Sequence, residues 1–446
     1  MGKLSARVRL GFGVGDLGGN LYFTLTGFYL LFYLTDVVRL PAGLAGTAFM
    51  IGKIWDAVTD PVTGYASDKT VTRWGRRRPY MAVGAILLFG SMILMFSSPA
   101  LESTWALFAV MTLFFCLLSL AYTLVNIPYA ALLPELTDDF DERTTLTGYR
   151  MVFAVVGTLI GAGAVLPLVA AFGGGRAGWL AMAAITGFIM LASTFGTVFA
   201  IREPERTPET GGPGFFRTCI DVLGLRVFLK ALVPWTLFIA GTSIVQGSLI
   251  YFFAHVYGDP GLFQVSLLFL LVTSLLFIPV WVLVSKRIGK RSSYIAGISL
   301  MSAGVLLVSL VGGPGKVLFA FVVMIGAGIG LSTHYVMPHS ILPDVVEYDA
   351  IKNGVRREGI FSSLWTFSSK IGQAVALGIT GLLLEVGGYA PETVLGPRAL
   401  TTIRILCGPI PVAFYLAGIV ILAGYPLTRS VYNRMMADGS IPTGEA

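Results

Sequence analysis

The chain has 446 residues, of which 55% are hydrophobic and only 12% are charged, and its mean hydropathy is +0.80. Soluble proteins carry about 25% charged residues, so half that share leaves too little polar surface to cover a globule in water. The composition therefore excludes an ordinary soluble enzyme or binding domain and predicts a membrane protein.

Twelve apolar stretches are long enough to cross a bilayer, which takes roughly 20 residues. Backbone groups inside lipid must be hydrogen-bonded within their own segment, so we predict an all-α membrane protein with twelve transmembrane helices. The polar segment 202–228 is a predicted cytoplasmic linker between two six-helix bundles, 1–201 and 229–446. The stretches run near 16–36, 41–64, 80–98, 104–128, 148–172, 178–200, 230–256, 262–285, 292–311, 316–340, 359–385 and 402–427.

The positive charges are distributed unevenly between the two sides of this topology. With the N-terminus inside, 23 of the 31 Lys and Arg residues fall in cytoplasmic segments and 5 fall in outer loops. Basic loops stay on the cytoplasmic side, so we predict an integral protein of the cytoplasmic (inner) membrane with both termini in the cytoplasm. The net charge of +7 thus reflects topology in a lipid bilayer, and no nucleic-acid partner is expected.

The first two helices contain polar residues that are costly in lipid. An ionisable residue at the centre of a spanning helix costs at least about 2.5–3.5 kcal/mol on insertion scales, so such residues indicate function. In helix one, Asp16 and Asn20 are spaced i, i+4, and they either face a solute cavity or cap the helix. In helix two, Lys53, Asp56 and Asp60 share one face. The two carboxylates repel each other unless a cation bridges them, which predicts a coupling site for Na⁺ or H⁺; the alternative is a Lys–Asp pair that only holds helices together.

Helix four ends with Tyr122, Thr123 and Asn126 in sequence order. Thr123 and Asn126 are spaced i, i+3 and offer neutral oxygens to the same cation, although such residues also hydrogen-bond between helices.

Arg150 in helix five and Lys370 in helix eleven are cations from different halves. We predict that they face a central cavity and bind the hydroxyls or an acidic group of a small-molecule solute. The alternative for Arg150 is an extension to the cytoplasmic surface. Tyr335, Trp365 and Thr366 are either walls of this cavity or packing residues.

The loop between helices two and three carries Asp68 and then Gly75–Arg78. It resembles the Gly-x-x-x-Asp … Gly-Arg-Arg signature of the major facilitator superfamily, which implies that Asp68, Arg76 and Arg77 hold an inner gate. The halves also repeat a pattern of Pro, a short apolar run, Leu-Pro and an acid, at 128–135 and 338–344. A six-helix repeat is how these transporters are built, and we assign Asp344, the second acid, to gating as well.

Other classes of protein lack support in the sequence. Gly312–Lys316 has no Ser or Thr to end a phosphate-binding loop, and Gly297–Met301 lacks the second glycine of a nucleophile elbow, so no enzyme is predicted. The three histidines form no metal-binding pattern, and no metal or cofactor is expected apart from the coupling ion, Na⁺ or H⁺. A membrane sensor would carry a large output domain, which a chain with soluble segments under about 30 residues does not provide.

Several separated motifs occur in one order along the chain: Gly13–Leu17, Trp55–Pro61, Asn126–Tyr129, Leu342–Asp349 and Lys370–Ala374. In them the sequence resembles the glycoside–pentoside–hexuronide:cation symporters, the melibiose-permease-like family of the major facilitator superfamily, over nearly its whole length. The resemblance implies alternating-access symport of a sugar, glycoside or hexuronide.

The resemblance also implies roles for individual residues. It assigns Asp56, Asp60 and Thr123 to the cation, and it assigns a second set to the substrate: Tyr122, Arg150, Trp365, Thr366 and Lys370. Asn126 stands where the melibiose permease has an Asp, and Leu17–Gly18 stands where it has a Lys-Asp pair, so a galactoside is not implied. The animal lysophospholipid transporters share Tyr149–Met151 and form the alternative, a carrier of amphiphiles.

Overall fold

The computed structural model describes residues 4–70, 72–137, 140–203, 215–354, 357–391 and 395–438. The regular secondary structure of these ranges is helical, as predicted. Much of the predicted linker, residues 204–214, lies outside the described residues. The chain divides into two compact units, which are described separately: unit 1 is Met1–Thr210 with Leu377–Leu395, and unit 2 is Gly211–Ala376 with Gly396–Ala446.

Unit 1 is a bundle in which α1 packs against α6 and α7, while α3 and α4 pack against α5. Its helices are α1 (Ala6–Phe28), α2 (Leu30–Phe32), α3 (Ala42–Lys69), α4 (Arg78–Met95), α5 (Thr104–Leu136), α6 (Phe140–Ala171) and α7 (Gly175–Ala200), with a π-helical turn at Tyr33–Val37.

Unit 2 is a second bundle, in which α12 packs against α10 and α11, and α9 packs against α15. Its helices are α8 (Phe215–Leu223), α9 (Arg226–Tyr251), α10 (Pro260–Ile288), α11 (Lys290–Val311), α12 (Val317–Asn353), α13 (Glu358–Val386), α14 (Pro397–Cys407), α15 (Pro409–Ala423) and α16 (Arg429–Asp438), with a π-helical turn at Phe252–Tyr257.

The last part of α13, from Leu377 onward, belongs to unit 1. There the Glu385 carboxylate accepts a hydrogen bond of 2.6 Å from the backbone N–H of Gly43, at the start of α3. Just beyond α13, the Tyr389 hydroxyl donates to Asp36 at 2.7 Å. Unit 1 is therefore completed by residues from late in the chain.

Ten helices among the described residues are long and apolar enough to cross a membrane, with α14 and α15 counted as one. The helices α1 and α3 are not among them, although they have 23 and 28 residues. The reason in α3 is its charge, because Lys53, Asp56 and Asp60 lie near its middle and lower its hydropathy.

Several helices begin earlier or end later than the apolar stretches predict. Helix α1 begins at Ala6, where the Ser5 side chain accepts from the third backbone N–H, so Asp16 lies in mid-helix and does not cap it. Helix α6 begins at Phe140, which places Arg150 well inside the helix. Helix α12 continues through Pro338 to Asn353. Hydropathy misses these segments because they contain charged residues, among them Glu142, which is paired with Arg9, and Asp344, which is paired with Lys290.

One glycine contact sets the spacing of α1 and α6. A Cβ on Gly157 would lie 2.3 Å from the carbonyl oxygen of Leu17, so only glycine lets the two backbones approach this closely. Small residues at helix interfaces have this effect in membrane bundles. The close approach brings Arg150 of α6 next to Asp16 of α1.

Candidate functional site

Two carboxylates and one hydroxyl form the centre of the candidate site in unit 1. The Thr123 hydroxyl of α5 lies 2.8 Å from Asp56 Oδ1 and 3.0 Å from Asp60 Oδ1, both on α3. Asp56 and Thr123 are each 1% exposed, and Asp60 is half-buried. The i, i+4 spacing puts the two acids on one face of α3, and the packing of α5 against that face brings the hydroxyl between them.

Lys53 belongs to the same region and is buried, with 3% of its surface exposed. Its ammonium nitrogen lies 5.8 Å from the ring centre of Tyr22, 5.6 Å from that of Phe23 and 5.9 Å from that of Phe49. Aromatic faces attract a cation at such distances. One lysine and two aspartates give this cluster a formal charge of −1, which one monovalent cation would neutralise.

Tyr122 covers the side of this cluster that faces α1. Its ring stacks on that of Tyr22, with centroids 4.1 Å apart, and it is 3% exposed. Asn126 lies one turn beyond Thr123 and is half-buried. The structure thus gathers Asp56, Asp60, Thr123 and Tyr122, whereas Asn126 makes no hydrogen bond to either carboxylate within the described residues.

Asp16 and Arg150 form an ion pair in unit 1. Arg150 Nε lies 2.5 Å from Asp16 Oδ2, and Arg150 Nη2 lies 3.2 Å from Oδ1, so the contact is bidentate. The guanidinium also lies 4.9 Å from the ring centre of Tyr129. Asn20 donates from its side chain to the backbone oxygen of Asp16 at 2.9 Å. The charge of Arg150 is therefore compensated by Asp16.

Unit 2 contains a stack of aromatic rings around the predicted residue Trp365. The rings of Trp235 and Trp365 lie 5.3 Å apart, and those of Trp235 and His334 lie 4.9 Å apart, both stacked. His334 Nδ1 lies 2.8 Å from the Tyr294 hydroxyl. The indole N–H groups of both tryptophans and Nε2 of His334 are buried without a hydrogen-bond partner in the described structure. Buried polar atoms of this kind cost about 1–3 kcal/mol each and often mark a ligand-binding region.

The other predicted residues of unit 2 are close in the sequence to His334 or Trp365, and their exposure differs. Lys370 is buried, with 9% of its surface exposed, in the middle of α13. Tyr335 is 44% exposed on α12, and Thr366 is exposed on α13. Trp235 and His334 were not predicted from the sequence, since a lone Trp or His in an apolar helix resembles any packing residue.

The predicted gating residues of unit 1 form an ion-pair network. Arg77 Nη2 lies 3.1 Å from Asp68 Oδ1 and 2.8 Å from Glu135 Oε1, and Arg76 also contacts Glu135. Burial lowers the pKa of Arg77, while the neighbouring Glu135 and Asp68 act to raise it. A fifth residue, Glu203, accepts hydrogen bonds from the backbone N–H groups of Arg76, Arg77 and Arg78, which lead into α4.

The predicted gating residue of unit 2, Asp344, pairs with Lys290, the first residue of α11. Lys290 Nζ lies 2.8 and 2.7 Å from the two carboxylate oxygens of Asp344. Glu135 and Asp344 are the acids of the repeated Leu-Pro-acid pattern, so each copy of the pattern ends in an ion pair to a base that follows a glycine. The repeat of Gly75–Arg76 as Gly289–Lys290 was the signal that could have identified Lys290.

The described part of the chain, with its helices, ten potential spans and buried ion pairs, has the construction of a membrane transporter. The chain belongs to the MFS/sugar transport protein family, which it matches over residues 11–429. It is a secondary transporter of the symporter type and not an enzyme.

Relatives across the whole length agree with this family. The chain is 31% identical to the isoprimeverose transporter of Lactiplantibacillus pentosus, over 96% of this chain and 90% of the relative. It is 29% identical to a putative glycoside/cation symporter of Escherichia coli, over 100% and 98% of the two chains. The crystal structure of the nucleoside transporter NupG has the same fold, with a TM-score of 0.69 at 12% identity, over 94% of this chain and 100% of that one.

Proposed function

We propose that this protein is a cation-coupled symporter for a sugar, glycoside or hexuronide, with twelve membrane-spanning helices and both termini in the cytoplasm. The two additional spans are α1 and α3, whose 23 and 28 residues give lengths of about 35 and 42 Å. A bilayer core is about 30 Å thick, so both helices are long enough. Their polar residues lie inside unit 1, where they have partners.

The contact of Thr123 with both Asp56 and Asp60 is the observation that carries the coupling proposal. Two carboxylates that share one hydroxyl repel each other when both are ionised. A bound Na⁺ or a proton relieves that repulsion, so occupancy of the site changes the energy with which α3 packs against α5. This is the property that coupling requires, because an ion can shift an equilibrium only by its differential affinity for the two states.

The solute contacts proposed here suit a sugar. The Asp16–Arg150 pair offers carboxylate acceptors and guanidinium donors to hydroxyl groups, and Lys370 offers further donors. The stacked tryptophans of unit 2 provide flat apolar surface and two indole N–H donors. Apolar rings with a few well-placed polar groups are typical of small-molecule sites. The sugar class also agrees with the names of the relatives.

The coupling proposal is tested by the double variant Asp56→Asn, Asp60→Asn in proteoliposomes. We expect this variant to lose uphill accumulation of the solute under an imposed Na⁺ or pH gradient, while exchange of solute across the membrane persists in part. The gradient that drives the unchanged protein identifies the ion. Normal accumulation by the double variant would show that these carboxylates do not bind the coupling cation.

The hydroxyl provides a matched pair of variants. Thr123→Ser keeps the oxygen and should keep coupling, whereas Thr123→Val keeps the shape and should lose it. Losing one such charge-assisted contact, at about 1.5–3 kcal/mol, corresponds to a cation affinity roughly 10- to 150-fold weaker. Equal coupling in both variants would remove the hydroxyl from the site.

The solute class is tested by thermal unfolding of the purified protein with sugars, glucuronides and lysolipids, each with and without Na⁺. A ligand at 100 times its dissociation constant stabilises the state it binds by about 2.7 kcal/mol. We expect stabilisation by a sugar or glycoside. If lysolipids were the only compounds that stabilise the protein, its solute would be an amphiphile and the sugar proposal would be wrong.

A further inference from the structure

One end of unit 2 holds a cavity of about 540 Å³ that the transport proposal does not use. It lies between the turn that joins α10 to α11, Asp344 of α12 and the segment that leads into α16. Five basic residues and one acid line it, which gives a formal charge of +4: Lys286, Arg287, Lys290, Arg291, Arg429 and Asp344.

Contacts within unit 2 hold several of these bases in place. Lys290 is paired with Asp344, and it also donates to the backbone oxygen of Ser340 at 2.8 Å. Arg291 donates to the backbone oxygens of Ala423 and Tyr425 at 3.2 and 3.1 Å. Among the described residues that line the cavity, the one carboxylate is that of Asp344, which pairs with Lys290. The carbonyl oxygens that bind Arg291 carry no net charge.

The equivalent turn of unit 1 shows what this geometry binds. Gly75 begins Gly-Arg-Arg-Arg, which leads into α4 at Arg78, and Gly289 begins Gly-Lys-Arg-Ser, which enters α11 at Lys290. Both glycines have left-handed backbones, with φ of +101° and +85°. In unit 1 the Glu203 carboxylate lies against the helix start and accepts from the backbone N–H groups of Arg76, Arg77 and Arg78 at 2.6 to 3.1 Å.

The described residues of unit 2 place no such carboxylate at the start of α11. Glu203 follows α7, the last helix of the first half, whereas the segment after α15 reads Gly-Tyr-Pro-Leu-Thr-Arg from 424 to 429. The start of α11 has no side-chain cap hydrogen bond. The cavity opens where the carboxylate would lie, and Thr428 and Arg429 line it instead.

We propose that this cavity binds a phosphate group, which takes the role at α11 that the Glu203 carboxylate has at α4. The helix start offers backbone N–H groups and the positive end of a dipole, and the basic side chains supply charge-assisted hydrogen bonds. The phosphate is carried either by an anionic phospholipid of the membrane or by a free phosphate ion. An exposed apolar stripe of α10, Leu276, Val280 and Leu283, runs along the helix toward the cavity and provides contact surface for acyl chains.

The test measures the affinity of the full-length purified protein for three probes by isothermal titration calorimetry. The probes are short-chain phosphatidylglycerol, phosphatidylcholine of the same chain length, and inorganic phosphate. If the phosphate belongs to a lipid, the protein should bind phosphatidylglycerol more tightly than both other probes. If it is a free ion, the affinity for inorganic phosphate should be at least as high as that for phosphatidylglycerol.

Two sets of variants locate the site. Lys286→Gln with Arg287→Gln removes two exposed charges and should weaken binding roughly 30-fold, about fivefold for each base. Arg73→Gln with Arg202→Gln removes the same charge from exposed positions of unit 1 and should leave the affinity unchanged.

The second set uses Ser292, an exposed residue in the first turn of α11. Ser292→Glu supplies a carboxylate where acids stabilise a helix start, so it should abolish binding without loss of thermal stability, while Ser292→Gln should bind normally. Equal loss in the Arg73, Arg202 control, or binding that Ser292→Glu leaves intact, would overturn the proposal and leave only diffuse attraction between a basic protein and an anion.

Discussion

The Asp16–Arg150 ion pair gives a prediction whose size follows from its burial. The side chains of Arg150 and Asp16 are only 18% and 12% exposed, and two hydrogen bonds join them. Removing one partner of a buried pair leaves an uncompensated charge and costs about 3–5 kcal/mol. The single variants Asp16→Asn and Arg150→Gln should therefore each be strongly destabilised. The double variant removes both charges and should recover a large part of the loss.

Thermal unfolding of the four proteins measures this effect. At roughly 2–4 °C for each kcal/mol, a loss of 3 kcal/mol lowers the midpoint by about 6–12 °C in each single variant. The unfolding midpoint of the double variant should lie well above the value obtained by adding the two single losses. Additive losses would show that the residues do not interact and would refute the pairing.

A nearby pair separates stability from solute binding. Arg9 and Glu142 also join α1 to α6, by hydrogen bonds of 2.7 and 2.8 Å. Of these two ion pairs, Asp16–Arg150 contacts solute in the proposed function and Arg9–Glu142 does not. Arg9→Gln should therefore leave solute affinity unchanged, whereas the double variant of Asp16 and Arg150 should lose it even after its fold has recovered.

Two further predictions concern topology and charge. Reporter fusions at the C-terminus should report a cytoplasmic position, and an extracellular result would contradict the twelve-helix count. Lys370→Ala should weaken binding of the true solute at least tenfold, because a charge-assisted contact contributes roughly 1.5–3 kcal/mol. Competition between each uronide and its neutral parent sugar then shows whether Lys370 favours an anion, and equal competition within every pair would exclude that preference.

The centre of the candidate site could be predicted because it depends on short spacings. Asp56 and Asp60 lie one turn apart on one helix, so their common face follows from helix geometry alone. Their contact with Thr123 depends on the packing of α3 against α5, which α4 separates in the chain, and it was the family resemblance that predicted it. The helical fold could also be predicted, because it follows from the hydrophobic composition of the whole chain and from the length of its apolar stretches.

Contacts between distant helices could not be predicted from the sequence. Asp16 and Arg150 are 134 positions apart, and their pairing depends on the close approach of α1 and α6 at Gly157. Hydropathy also missed the first turns of α1 and α6, because charged residues there are paired across the two helices. The sequence predicts that Glu203 belongs to the linker, whereas in the structure its carboxylate binds the backbone N–H groups that lead into α4.

The order in which the chain is made matters for unit 1, because two of its hydrogen bonds use residues beyond Leu377. Ribosomes add roughly 5–20 residues per second, so Glu385 and Tyr389 follow the end of the first seven helices by about 10–40 s. During that interval Gly43 at the start of α3 and Asp36 in the turn before it lack their hydrogen bonds to this late segment. A nascent chain that stalls before this point presents an unfinished first bundle to the proteases that survey the membrane.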